Sequence, residues 1–559
     1  MTNISIMTNT YNTLNKATVS NFIYRITLIF LIASTIPSCK KAMDKKPLSS
    51  YSDAIVWQNA TLISNFVSST YRSIPTGGFG GLPCYLACFT DEGKVIGEGI
   101  DAVFNGGNIT PSNVGGTPLD YWVAYFGVIG KCNLFLDRIQ SSAIDAALIT
   151  RMTGEIKVIS AYSYFSLISF YGAVPLIKKP LTVADSLSLP RNNYDECMAF
   201  VITELDAAAV MLPTTYPAAD QGRITKGAAL AIKARALLYA ASPLNNPGND
   251  MSKWQKAADA AKAVIDMGLY SLYANYKNLF LQLAAYNSEI IWQRPYNNLV
   301  DFELAVEVAL YPPGSNGRAQ LSPIHNIVAD YETLNGLLPI NDPSYNPQNP
   351  YVNRDPRFNA TILFDSALFK GRRIQIFTGG VDADITGSSV PRPGYYLRKF
   401  NDTTIVDPIT TRIGNTPWTF FRYAEILLNY AEAKYYLGDE ATCRTYINKV
   451  RSRPGVLMPD VTESGAALLK RLQHERRIEL AFEGHRWFDV RRWKIAPVVL
   501  NINAQAMAVT KDPVTGVRTY TVKDMLPTRA FFDKNYLLPI PQSEIDKNKN
   551  PLFTQNTGY

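Results

Sequence analysis

The run ERRIELAFEGHRWFDVRRW, residues 475–493, brings Glu475, Glu479, Glu483, His485 and Asp489 close together in the chain. Paired carboxylates can act as general acid and base on a glycosidic bond, and a histidine flanked by carboxylates can hold a metal. The same residues can also neutralise one another. Arg476 and Glu479, Glu483 and Arg486, and Arg486 and Asp489 each stand three apart, which makes them neighbours on a helix surface. Gly484 is placed to end such a helix, with Trp487, Phe488 and Trp493 as the apolar part that docks it. Charges that satisfy each other need no substrate to explain them, so the expectation here is a structural ion-pair array and no catalytic residue.

Other catalytic signatures are missing. HERRI at 474–478 is not the H-E-x-x-H zinc motif, and neither a G-x-S-x-G elbow nor a G-x-x-x-x-G-K-[ST] phosphate loop occurs. The glycines of GFGGLP, near Gly78, lack the strand-to-helix setting of a dinucleotide site. The three histidines, His325, His474 and His485, have no ligand spacing and read as packing or hydrogen-bonding groups, so neither a metal nor a cofactor is expected. Besides Cys39 there are Cys84, Cys88, Cys132, Cys197 and Cys443, an odd set in a chain large enough to fold without staples. Cys84 and Cys88 can pair or can both be buried apolar residues, and burial is the simpler reading. A formal charge of +8 spread over 559 residues is no nucleic-acid footprint.

Helical periodicity sets the frame. Thr225 can cap KGAALAIKARALLYAAS, with Ala228, Ile232, Ala236 and Ala240 on one face. Ser252 can cap KWQKAADAAKAVIDMG, with Ala257, Ala261, Val264 and Ile265 on one stripe and Gly268 as its stop. Together they predict an antiparallel helical hairpin. A second hairpin combines FFRYAEILLNYAEAKYYLGD, carrying Phe420, Tyr423, Leu427, Tyr430 and Ala431 and stopping at Gly438, with EATCRTYINKVRSRPG, carrying Cys443, Ile447 and Val450 and ending at Pro454-Gly455. Such pairs resemble tetratricopeptide units in kind, without the full repeat consensus. Residues 119–140, 154–172 and 464–484 are further helices; Trp122 on the first of them and Trp254 on the helix that starts at Lys253 read as core. Between about 296 and 415 the chain is dense in Pro, Gly, Asn and Asp, which fix turns rather than long elements.

At the N-terminus, LIASTIPSCKKAMDKK closes a short apolar run at a small residue and Cys39, then turns basic. The run is far shorter than the roughly 20 residues needed to span a bilayer. It has the anatomy of a secretory leader and is similar to bacterial lipoprotein signals, in which the cysteine after the cut is acylated. Residues 1–38 are then the signal, Cys39 the lipidation site, 39–52 a tether, and 53–559 a single body.

Collinear motifs carry a further resemblance: AYSYFSLISFYGAVPL (161–176), GRITKGAALAIKARALLYAASPL (222–244), NRDPRF (353–358), GYYLRKF (394–400), FRYAEILLNYAEA (421–433), ERRIELAFEGHRWFDVRRW and LLPIPQSEI (537–545). The set resembles the SusD/RagB family of outer-membrane nutrient-binding lipoproteins. The resemblance implies a mostly α fold: a tetratricopeptide-like scaffold, about 119–290 and 419–495, a loop-rich insert, about 296–415, and few short strands. It also implies an outer-surface lipoprotein that caps a TonB-dependent, SusC-like transporter and passes oligosaccharide, or in some members peptide, into it. A glycan site needs ring faces for C–H bonds and polar edges for hydroxyls. Loops 74–94 and 293–318 offer Phe79, Tyr85, Asp91, Glu92, Tyr296, Tyr311 and Arg318, and the family's ligand contacts come from such loops. A surface glycoside hydrolase on a helical scaffold and a peptide-binding protein are the alternatives.

Overall fold

The computed structural model describes residues 53–559 except 77–82, 96–99, 183–184, 186–187, 297–305, 384–391, 408–413 and 527. Cys39 and Phe79 therefore lie outside the described residues. The chain divides into Met1–Gln58, whose described part holds the short helix Asp53–Val56, and Asn59–Tyr559.

Ten helices frame the second unit: α1 (Ala60–Arg72), α2 (Tyr121–Arg138), α3 (Ala146–Tyr171), α4 (Tyr194–Met211), α5 (Lys226–Ala241), α6 (Met251–Asp266), α7 (Tyr423–Tyr436), α8 (Glu440–Arg451), α9 (Gly465–Glu479) and α10 (His485–Arg492). From α2 onward each packs on the next, α2 on α3 through to α7 on α8, with α9 against α7 and α8. This is the stacking of helical repeats, in which each hairpin buries its apolar face on its neighbour.

Caps decide where these helices start. Thr225 caps α5 by accepting from the Ala228 amide at 3.2 Å, as the sequence predicts. The stripe Ala228, Ile232, Ala236 and Ala240 is buried, and a Cβ on Gly227 would lie 2.0 Å from the Tyr270 hydroxyl, so the tyrosine needs a glycine there. For α6 the cap is Asp250, whose carboxylate accepts from the Ser252 amide at 2.8 Å; carboxylate and hydroxyl compete for the same role, and the earlier residue takes it. Helix α3 starts at Ala146, well before residue 154, because Asp145 accepts from the Leu148 amide. Gly484 does not end a long helix: α9 stops at Glu479, and Gly484, at φ +82°, opens α10. Phe420 belongs to a strand that runs directly into α7.

Between α6 and α7 the chain leaves the helical row on an excursion, in which no described helix exceeds six residues. The strands are few: β1 (Gly93–Val95), β2 (Ile290–Arg294), β3 (Leu321–Pro323), β4 (Trp418–Arg422), β5 (Gln505–Lys511) and β6 (Arg518–Asp524), besides some two-residue pairs. They form antiparallel pairs β1–β3, β2–β4 and β5–β6. The β5–β6 hairpin, turned by Asp512 accepting from the Val514 and Thr515 amides, is an element the helical reading overlooks. No helix among the described residues is long and apolar enough to cross a membrane.

Trp254 and Trp122 are buried as expected, and Cys88, Cys132, Cys197 and Cys443 are buried too. Trp254 on α6 lies flat on Tyr436 of α7, with centroids 3.9 Å apart and planes 8° from parallel, closing the helical row across the excursion. Trp254→Ala should therefore cost about 3–5 kcal/mol of unfolding free energy. Denaturant titration checks it, and a loss below about 1 kcal/mol would show that this seam does not hold the two halves of the row together.

Candidate functional site

The carboxylates that look catalytic in the sequence are locked. Glu479 accepts from Arg422 at 2.7 Å and Arg357 at 3.0 Å and also pairs with Arg453. Glu475 accepts from Arg451 at 2.8 Å and pairs with Arg357, while Glu483 takes Arg422 and Lys399 at 2.7 Å each. Glu475 and Glu479 are fully buried. Burial alone would raise the Glu475 carboxyl, but Arg357 and Arg451 bring it down to about 2. Glu479 and Glu483 are lowered in the same way by the arginines around them. A general acid must hold a proton near neutral pH and reach its substrate, and these groups do neither. His485 is held neutral by burial and by the cations Arg235, Arg476, Arg422 and Lys399.

None of the three pairs expected at spacing three forms. Arg476 bonds Asp489 and Asn429 instead, and Arg486 makes a two-pronged contact with Asp91, at 2.8 and 2.7 Å. The break after Glu479 turns α10 away from the line of α9, so arginines find acids on other elements; Arg492 with Asp489, 2.8 Å apart, is the one local pair.

Several nominated ligand contacts are likewise internal. Asp91 also takes Arg477 at 3.0 Å, and the arginines hold its carboxyl well below the usual range despite burial. Glu92 is fully buried beside it and is pushed up to about 8, chiefly by desolvation, with Arg477 and Arg486 opposing and Asp91 assisting. Tyr85 is 8% exposed and packs edge-on against Phe89 at 5.6 Å. Tyr311 has no exposed surface: its hydroxyl donates to the carbonyls of Asp402 and Ile405, and its ring meets Phe369 edge-on at 5.2 Å. The Pro- and Gly-rich loop after Tyr311 folds back on it so closely that a Cβ on Gly317 would sit 2.1 Å from the Tyr311 carbonyl oxygen. A loop that makes its own core spends its aromatic ring there. Arg318 is exposed, and Tyr296 is nearly buried beneath Arg294, 4.9 Å from its ring centroid.

A cleft of about 320 Å³ opens beside Tyr296. Strand β2 supplies Trp292, Gln293 and Arg294, β4 supplies Phe420, the end of α1 supplies Tyr71, Arg72 and Ile74, and the turn before α5 supplies Asp220 and Arg223. Consecutive residues of a regular strand face opposite ways, but β2 carries register shifts on both sides of Trp292, so neighbouring side chains share the cleft. Trp292 and Phe420 stack at 4.3 Å, and Tyr162 of α3 meets both edge-on. Arg235 of α5 fixes β4 from behind by gripping Glu425 with two prongs at 2.6 Å, donating to the Phe420 carbonyl and covering the Phe421 ring at 3.5 Å. Arg294 donates to the carbonyls of Arg72 and Ile74 at 3.2 and 3.3 Å, joining the two loop regions that the sequence nominates separately. Gln293 is 2% exposed, and its side-chain amide acts on the Tyr286 hydroxyl. Trp292 and Phe420 are themselves only 3% and 6% exposed, so the rings form a buried floor and the accessible surface of the cleft is set by the guanidinium and carboxylate groups of Arg72, Arg294, Asp220 and Arg223, which suit a hydroxyl-bearing ligand. Sequence reasoning takes Tyr296 from this stretch and passes over Trp292; the run EIIWQRPY carried the signal. Among the described residues no group of three or more His, Cys, Asp or Glu side chains is placed to hold a metal ion.

Glu92 gives this buried charge a pH signature. Its folded value lies above the ordinary carboxylate value, so the unfolded chain ionises first and stability falls as pH rises from about 4.5 to about 8. In Glu92→Gln the melting temperature should be flatter across that window and higher than wild type at pH 8. Superimposable pH profiles would show that Glu92 ionises freely in the fold.

Residues 282–559 match the SusD family, and residues 91–238 match a family described as starch-binding and associating with the outer membrane. A SusD-like protein of Formosa agariphila is 25% identical over 467 residues, covering 79% of each chain. Two solved Bacteroides fragilis structures, a SusD-like protein and a SusD-like carbohydrate-binding protein, are each 28% identical with a TM-score of 0.77; they cover 92% and 89% of this chain and each is matched over its whole length. With its mostly α, tetratricopeptide-like body and these matches, the chain belongs to the SusD/RagB family.

Proposed function

We propose that the protein captures carbohydrate at the cell surface without cleaving it, is anchored in the outer membrane by acyl chains on Cys39, and hands its ligand to a SusC-like TonB-dependent transporter. The observation that carries the binding reading is the cleft built on Trp292 and Phe420, where Arg294 draws the two loop regions together around an aromatic floor with polar edges. The 28% identical Bacteroides fragilis protein described as carbohydrate-binding supports it. The hydrolase alternative loses its residues, because each carboxylate it would use is held by arginine or lysine. Tyr296 and the exposed Arg318 remain on the loops proposed to meet the ligand. The leader anatomy around Cys39 and the family resemblance are what support the lipidation, the tether 39–52 and the transporter partner in this reading.

The purified protein should retain polysaccharide in affinity gels and release no reducing ends. Gln293→Leu replaces a buried amide with an apolar group of similar size and removes its bond to the Tyr286 hydroxyl, so the melting temperature should fall by no more than the worth of one hydrogen bond. Its affinity for the retained glycan should fall about threefold to tenfold, the worth of one hydrogen bond. Equal affinity in the variant removes Gln293 from the site, and reducing-end release would mark an enzyme. Cys39→Ala should move the protein from the membrane fraction to the soluble fraction; undiminished attachment rules out the thiol anchor.

A further inference from the structure

A second groove, of about 590 Å³, runs between the segment 274–277, the helix Pro356–Thr361 and the turn Pro454-Gly455, and shares no lining residue with the cleft at Trp292. Its wall carries two cations, Lys277 and Arg398, and no acidic side chain. Elsewhere in the body Arg357, Arg422, Arg451 and Arg453 are matched with acids, while Arg354, Arg491 and Arg529 are bonded to backbone carbonyls. Arg398 donates one bond, from Nη2 to the Leu368 carbonyl at 2.7 Å, and its Nε is buried with no hydrogen-bond partner. Neither cation has an acid within ion-pair distance among the described residues. Asn275 and Asn359 line the same groove and add neutral amide groups.

Arg398 is half-buried, and Lys277 beside it is exposed. Burial lowers Lys277 first and Arg398 adds to it, while burial alone lowers Arg398, with no carboxylate acting on either. Two like charges lining one concave wall, with no acid among its residues, create a positive potential that an anion relieves. A guanidinium fork beside a lysine point charge, with amides at the rim, matches an oxyanion.

We propose that this groove is a subsite for an oxyanion carried on a glycan, a uronate carboxylate or a sulfate ester, and hence that the cargo is an acidic polysaccharide. The proposal rests on the carbohydrate-binding reading above and adds the charge class of the ligand.

Fluorescence polarisation with three labelled probes tests it: an oligogalacturonate, a sulfated galactan oligosaccharide and a neutral gluco-oligosaccharide. At least one acidic probe should bind, and Lys277→Gln and Arg398→Gln should each weaken it about tenfold or more while leaving the neutral probe unaffected. The acidic probe that responds names the source of the oxyanion. Because Arg398 also bonds the Leu368 carbonyl, Lys277→Gln is decisive if Arg398→Gln lowers the melting temperature. The inference is overturned if neither acidic probe binds, or if both variants bind as tightly as wild type. In that event, binding of the neutral probe leaves the carbohydrate-binding reading standing, and failure of all three probes removes both.

Discussion

The loops of this protein are held to its helices by charge. Glu289, Glu332, Asp355, Arg357, Lys399 and, as its last residue, Arg422 come from the excursion, while Arg451, Arg453, Arg471, Glu475, Glu479 and Glu483 come from α8, the turn after it, α9 and the turn after α9. The set holds equal numbers of each sign. Each ion costs several kcal/mol to bring out of water, and only a partner held in good geometry offsets that cost. Arg422 shows how closely the group is fitted: it reaches Glu289, Glu479, Glu483 and the Glu479 carbonyl at 2.7 Å each. Removing any one member strands the others in a low-dielectric interior, so the network resists piecemeal loosening. An apolar interface of the same area could slide; this one has a single register.

That rigidity reaches the cleft. Arg422 ends β4, the Tyr423 amide bonds the Glu289 carbonyl, and Glu289 immediately precedes β2. The strand pair bearing Trp292 and Phe420 is thus pinned at the end next to the charge network and gripped from behind by Arg235. A binding surface whose aromatic floor is already in place loses little freedom when a ligand arrives. Sugars, with many weak contacts and no strong anchor, benefit from such preorganisation.

The helical row was legible in the chain because its signals are local. Thr225, Gly268 and Gly438 mark ends, and the stripes through Ala228 and Cys443 mark faces, each within one or two turns of the residue it governs. The site was less legible because its contacts are remote. Arg486 lies three residues from two acids and bonds a third, Asp91, from the far end of the chain; no helical spacing encodes that choice. Tyr311 looks like a loop aromatic free for a ligand, yet the glycine that permits its loop also permits the fold-back that buries it. Trp292 sits in an apolar run that reads as core and is core, and only the register shifts in β2 bring it to the floor of the cleft beside Gln293.

The excursion begins and ends at almost the same place: the rings of Tyr270 and Tyr423, just past α6 and at the start of α7, have centroids 6.3 Å apart. A closed detour of this kind can change length cheaply, since doubling a loop adds only about 0.6 kcal/mol of closure entropy. Evolution or an engineer can therefore exchange the recognition surface as a cassette, provided that the acids and bases at Glu289, Glu332, Asp355, Arg357, Lys399 and Arg422 travel with it. Six residues would then be the plug that lets one chassis accept many different menus.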